Sequence, residues 1–421
     1  MKNASVQQPL WMKPLPFPLS SRAGPTCPGL PWRDLRFYGP FLEMQLRDLR
    51  FPFGPHGDSL IPYLTRVESH KGIALFTVLA AVLMSALAPS IEAAQVPDNN
   101  AAKETSAPCA SSIAADFPKT VLSNGPVQAV VYLPDPQKGY YRSTRFDWSG
   151  VVPCLNFKGH TYFGVWFKRY DPLVNDSITG PVEEFRSSDG LSSINYDEAK
   201  PGDLFLKPGV GVLRKVDDSP YKFGFAYPIV DGGKWTVRTK RTEVVFTHHL
   251  QSTLGYAYVY EKTLKLDKHQ PVLILEHRLK NTGTKPIDTQ VYDHDFFMLD
   301  DVPTGPGMEV HFPFEPQAKR PLEPHAKIDG KSIVYLEELT SGPRQSATSY
   351  LTGYSSNPAD YDFTVENKTT GVGVEQTSDS PIAQLNFWSI RTTICPEAYI
   401  HVIVQPGETK SWTIRYRFFA K

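Results

Sequence analysis

The sequence predicts an all-β protein, a large antiparallel β-sandwich, on three observations. From about Val121 to Lys421, strand-like runs rich in Val, Ile, Tyr, Phe and Trp follow one another. Clusters of Gly, Pro, Asn and Asp separate them, and hardly any stretch sustains a helical period.

In chain order the runs are VQAVVYL, YAYVYEKTLKL, PVLILEHRLKN, DTQVYDHDFFML, YIHVIVQ and SWTIRYRFF. The last alternates most cleanly. Trp412, Ile414, Tyr416 and Phe418 point one way, while Thr413, Arg415 and Arg417 point the other, which predicts one core face and one wet face. Such strands pair mostly antiparallel and cover their apolar faces by stacking two sheets or closing a barrel. A domain over 119–421 with no internal boundary is expected.

Upstream of it, Lys71 precedes an apolar stretch from Ile73 to Ala88, followed by small residues around Ala93 and Ala94. That order predicts a signal peptide over 71–94 and an exported protein, periplasmic or extracellular. The stretch is shorter than the roughly 20 residues of a spanning helix, so no membrane span is expected in the mature form. Residues 1–70 contain RDLRF twice, at Arg33 and Arg47. A signal peptide acts from the start of a chain, so translation is expected to begin nearer Val67; the alternative is a disordered extension. Residues 95–118 read as a flexible leader.

Of the cysteines, Cys109, Cys154 and Cys395 lie beyond the signal segment and Cys27 before it. Export permits a disulfide, an odd count leaves the pairing open, and no CxxC or Cys/His spacing points to zinc. His248 and His249 are adjacent and cannot share one metal from a regular strand, so neither a metal nor another cofactor is expected. The glycines of KPGVGVL precede no helix and make no dinucleotide loop. Arg238, Lys240 and Arg241 read as a solvated strand face. The chain of 421 residues is 41% hydrophobic and 12% aromatic, and Lys plus Arg (44) balances Asp plus Glu (44). It is globular, and its charge draws it to neither nucleic acid nor an anionic membrane. A neutral sugar fits that balance, while oligomeric state stays open.

Two stretches carry chemistry. Gly255–Asp301 runs through two strands into YDHDFFMLD, and 384–418 contains CPEAYIHVIVQPGE. Together, in this order, they resemble the galactose mutarotase (aldose 1-epimerase) superfamily. The resemblance implies a supersandwich fold and an isomerase-like protein of carbohydrate metabolism acting on a mono- or oligosaccharide. It implies His294 as the acid that protonates the pyranose ring oxygen and Glu397 as the base. Asp293 stands where the family usually has Asn, and Pro396 departs from the usual Glu element. Glu408 belongs to the PGE turn. A looser match in GYYRSTRFDWSGVV offers Arg142 and Arg145 as substrate-contacting residues.

Anomer exchange needs one group to take the anomeric hydroxyl proton and another to protonate the ring oxygen, and no metal or organic cofactor. By strand parity His294 shares a face with Tyr292, Phe296 and Met298, and Asp293 shares the opposite one with Val291 and Phe297. An aromatic face suits a sugar, whose axial C–H groups pack on rings. Trp388 is a candidate platform. Glu183 and Glu184 are adjacent and face opposite ways, so at most one, with Glu184 preferred, meets a given sugar. His160 is a candidate second site histidine. Each of these also has a structural reading, as a satisfied core or surface residue. Because fold does not fix function, a polysaccharide lyase or glycosidase and a non-catalytic carbohydrate-binding protein stand as alternatives.

Overall fold

The computed structural model describes residues 108–342 and 345–421, which fall in the unit Pro52–Lys421. The extension expected over 1–70, the signal segment over 71–94 and the first part of the expected leader lie outside the described residues. Among the described residues no helix is long and apolar enough to cross a membrane.

Two antiparallel sheets stack face to face. The larger has ten strands, in the order Ala326–Asp329, Ser332–Tyr335, Met308–His311, Asp362–Asn367, Val372–Ser378, Thr409–Ala420, Val272–Asn281, Ala257–Leu266, Glu243–Gln251 and Lys234–Lys240. The smaller has six, in the order Gln317–Ala318, Ser346–Thr352, Gln384–Ile390, Thr393–Val404, Ile287–His294 and Val182–Arg186. Phe185 of the small sheet sets its ring edge-on to Tyr260 and Trp412 of the large one, and one apolar cluster runs between them. The alternation in the last strand holds. Trp412, Ile414, Tyr416 and Phe418 are buried in this core, and Arg415 and Arg417 are exposed.

A third sheet joins Lys119–Ser123, Val127–Tyr132, Val151–Phe157 and His160–Thr161. Within the stretch expected as leader, residues 108–118 hold a helical turn, Ala110–Ala114, and a disulfide from Cys109 to Cys154 ties that turn to the third sheet. The odd cysteine count is thereby resolved, with Cys395 left as a buried thiol. The bridge closes a loop across a sequence separation of 45. Loop-closure entropy of that size stabilises the native state by about 4 kcal/mol. Urea unfolding with and without dithiothreitol, or of Cys154→Ser, is expected to show a loss of that order.

The adjacent glutamates of the Val182–Arg186 strand divide as expected. Residue 183 pairs with Asp293 and residue 184 with Tyr292 across the neighbouring strand. One pair therefore faces the large sheet and the other faces away. The inward pair enters a fully buried polar network. His277 Nε2 lies 2.7 Å from Glu183, Lys262 Nζ pairs with the same carboxylate and donates to the Ser149 carbonyl at 2.9 Å, and Asp147 lies 3.9 Å from that ammonium. Gly150 makes this possible. It takes a left-handed φ of 80°, and a Cβ there would stand 2.7 Å from Lys262 Nζ.

Next to it, the Tyr416 hydroxyl touches Asp293 at 2.5 Å and Asp295 at 2.8 Å. A phenol has one proton to donate, so one of these carboxyls carries its own. Burial and the neighbouring Glu183 raise Asp293 to about 7, and burial raises Asp295 well above its usual range. A carboxyl raised in the fold binds a proton that the unfolded chain releases. Its contribution to stability is present below about pH 4 and is lost as pH rises through about 7. Asp293→Asn, which keeps the neutral shape, is expected to flatten the fall in thermal midpoint between pH 4 and 7; an unchanged slope would contradict a protonated Asp293.

Candidate functional site

The outward face of the small sheet carries the other set. His294 ends the Ile287–His294 strand, and Glu397 lies in the adjacent strand Thr393–Val404. Their side chains meet, with His294 Nε2 3.3 Å from Glu397 Oε1. The hairpin Gln384–Ile390 to Thr393–Val404 then fixes the surroundings, because its register sets Asn386 opposite Glu397 and Trp388 opposite Cys395. Asn386 Nδ2 donates to Glu397 Oε2 at 2.9 Å. Cys395 Sγ lies 3.1 Å from His294 Nδ1. Both ring nitrogens and both carboxylate oxygens are thus engaged.

Aromatic rings enclose the pair. Phe296 stacks on the imidazole at 3.8 Å between centroids, and Trp166 stacks on the far side of Phe296 at 5.1 Å. Trp388 and Phe146 stand edge-on to the imidazole at 5.4 and 5.6 Å. Phe296 holds a φ of 49°, a conformation that a bulky residue keeps only when its surroundings impose it. His294 is 4% exposed and Glu397 5%. Burial raises the Glu397 carboxyl to about 7. Burial, together with the nearby Arg145 charge, holds His294 well below the usual histidine range. One group is therefore poised near neutrality and the other is a neutral imidazole.

Arg145 is brought in from the loop that precedes the third sheet's Val151–Phe157 strand. It donates to Glu184 at 2.8 Å, to Asp176 at 2.7 Å and to the Tyr292 hydroxyl at 3.3 Å, and its guanidinium lies 4.5 Å over the Phe146 ring. Glu184 accepts from Arg145, Arg186, Lys207 and Tyr292. Although burial alone would raise it, Arg186, Lys207 and Arg145 hold it well below the carboxylate range. It is a charged anchor for Arg145 on the His294 face and does not exchange protons near neutrality.

The remaining candidates lie elsewhere. Asp293 points into the inter-sheet network and meets Tyr416, the opposite face from His294, as its parity requires. Arg142 lines a groove with Asp116, Phe117, Lys138 and Tyr170. His160 pairs with Asp300 at 2.8 Å on a hairpin, with a side chain 37% exposed. Asn386, Cys395, Phe146 and Trp166 complete the site; Cys395 and Phe146 stand inside the quoted motifs, but the sequence assigns a role to none of the four. For the first two the hairpin register is the usable signal, since a turn placed at Arg391 and Thr392 sets them beside Glu397 and Trp388.

Ligand atoms of His294, Cys395 and Glu397 lie within 4.8 Å of one another, as do those of Glu183, His277 and Asp293. In the first set the imidazole turns different nitrogens toward the thiol and the carboxylate. In the second an ammonium already neutralises Glu183.

No family model matches the chain, and no curated protein matches it. Solved structures with a similar fold include the Slr1438 protein from Synechocystis sp. PCC 6803, at 14% identity over 75% of this chain and 99% of that one, with a TM-score of 0.46. They include the GalM/aldose epimerase homologue from C. elegans, at 13% identity over 72% of this chain and 98% of that one, TM-score 0.47. A galactose mutarotase-like protein from Clostridium acetobutylicum is similar at 13% identity over 72% and 95%, TM-score 0.45. These are likenesses between chains, and the sandwich stands on its own strand order. That order is the large antiparallel sandwich the sequence predicts.

Proposed function

We propose that this protein binds a sugar on the aromatic face around His294 and exchanges its anomers by acid-base chemistry. The observation that carries the reading is the contact of His294 Nε2 with Glu397 Oε1 at 3.3 Å, with that carboxyl at about 7. As a carboxylate, Glu397 takes the anomeric hydroxyl proton while His294 protonates the ring oxygen; the C–O ring bond breaks, the carbonyl rotates and the ring closes. Closure reverses both transfers: the opened hydroxyl returns its proton to His294 and Glu397 gives its proton back to the anomeric oxygen, so the two groups, 3.3 Å apart, end as they began. Arg145 and Trp388 are the proposed sugar contacts.

The base must be ionised, so the rate is expected to rise as pH passes through about 7 and to level off above it. Histidine held neutral throughout adds no second limb near neutrality. The test follows the relaxation of freshly dissolved α-glucose and α-galactose by proton NMR between pH 5.5 and 8.5. A rate that falls with rising pH, or no acceleration at all, would remove this reading.

One observation favours a second reading, a sugar-binding protein without turnover. His294 and Glu397 touch each other and are almost wholly buried, so a pyranose reaches both only if some of the aromatic cover moves. Binding detected by titration calorimetry without conversion would select it.

For localisation, the apolar segment after Lys71 and the Cys109–Cys154 bridge both support export, because such a bridge persists in an oxidising compartment. Fractionation with N-terminal sequencing of the mature chain is the test, and a cytosolic protein beginning upstream of residue 71 would refute it.

A further inference from the structure

Cys395 is a thiol that the acid-base reading leaves unused, although it stands 3.1 Å from His294 Nδ1. Cysteine, histidine and glutamate in contact invite a nucleophilic reading, which the surroundings refuse. The thiol is fully buried, and burial with the nearby Glu397 and Asp295 charges raises it well above its usual range, so the thiolate a nucleophile needs is disfavoured.

The hydrogen bonds around the sulfur say more. Its acceptor side is filled by the Asp295 backbone N–H at 3.1 Å, and the Phe296 N–H also points to it. A protonated thiol that already accepts two amides has only its S–H left to direct, and His294 Nδ1 is the acceptor beside it. An imidazole that accepts at Nδ1 carries its proton at Nε2, the nitrogen facing Glu397 at 3.3 Å. The opposite tautomer would aim Nδ1–H at a sulfur whose acceptor capacity is spent and leave Nε2 bare before a carboxylate. Phe296, stacked on the ring at 3.8 Å, holds the imidazole in the plane that makes both contacts.

We propose that Cys395 is a positioning residue that donates its S–H to His294 Nδ1 and so fixes the Nε2–H tautomer opposite Glu397. Its kinetic consequence rests on the acid-base reading above; the tautomer does not.

The test uses the full chain labelled with 15N-histidine, with His294→Gln to assign the resonance. Two-bond proton–nitrogen correlations near pH 7.5 are expected to show Nδ1 unprotonated and Nε2 protonated. In Cys395→Ala the Nδ1–H form should gain, and in Cys395→Ser, whose hydroxyl donates in place of the thiol, the wild-type pattern should return. Should anomer exchange be present, kcat in Cys395→Ala is expected to fall about tenfold at unchanged KM, equal to losing one ordinary hydrogen bond, and to recover in Cys395→Ser. A wild-type ring protonated at Nδ1, or a tautomer indifferent to Cys395→Ala, overturns the assignment. Wild-type protein with the expected tautomer and no anomer exchange leaves it intact and removes the acid-base reading instead.

Discussion

Glu397→Gln is expected to lower kcat for anomer exchange by two to four orders of magnitude, the span that a positioned general base contributes. Glutamine keeps the size of the side chain and leaves an oxygen to accept the Asn386 amide, so no cavity opens and folding should be preserved. What it cannot do is take the anomeric proton. Its thermal midpoint should stay close to the wild type near pH 4 and exceed it at pH 7, because the wild-type carboxyl, raised to about 7 by burial, binds across that interval a proton that the unfolded chain has released, and its contribution to stability is lost as pH rises. His294→Gln is expected to show a loss of similar size with the same fold. Because the two groups act as one unit, the double variant should be no slower than the worse single one. Relaxation of α-glucose followed by proton NMR, with circular dichroism as the folding control, decides the matter. Wild-type rates in both single variants would end the assignment of this pair, while an inactive wild type would transfer the site to sugar binding alone.

How much of the fold and the site is legible in the amino-acid sequence depends on whether the deciding physics is local. The period of two in Trp412 to Phe418, and the opposite faces of Glu183 and Glu184, follow from backbone geometry and reappear unchanged. Through the two motifs that carry the resemblance, which the structure sets on neighbouring strands, His294 and Glu397 are reachable. The surroundings that tune them are not. Asn386 and Cys395 reach the pair through the register of one hairpin, and register depends on where a turn falls. Arg145 and Arg142 come from a single loop motif with nothing to separate them, and only the tertiary fold sends one to Glu184 and the other to a groove beside Tyr170. The Cys109–Cys154 pairing is open in the sequence for the same reason: composition sets the number of thiols, while their approach is a long-range property.

The largest stability effect is expected between the sheets, at Lys262. Its ammonium is set among Glu183, Asp147 and Asp293, all buried. Lys262→Met keeps much of the apolar stem and removes the charge, which leaves Glu183 with His277 and Asp147 with Ser149 but without the ammonium. Breaking a buried pair on one side costs about 3–5 kcal/mol, because the surviving charge stays out of water without its partner. Urea unfolding at pH 7 should show that loss, and it should shrink toward pH 5, where Asp147, at about 7 in the fold, takes up a proton and no longer needs the lysine. Adding Glu183→Gln to Lys262→Met should restore part of the stability, since the second change removes the charge that the first one stranded. Additive losses in the double variant would mean that each residue is held by its packing and that the ion pair contributes little. Recovery would show that the interior is organised around charge balance, so that the inward-facing residue of the adjacent glutamate pair is fixed by electrostatics while the outward-facing one serves the His294 face.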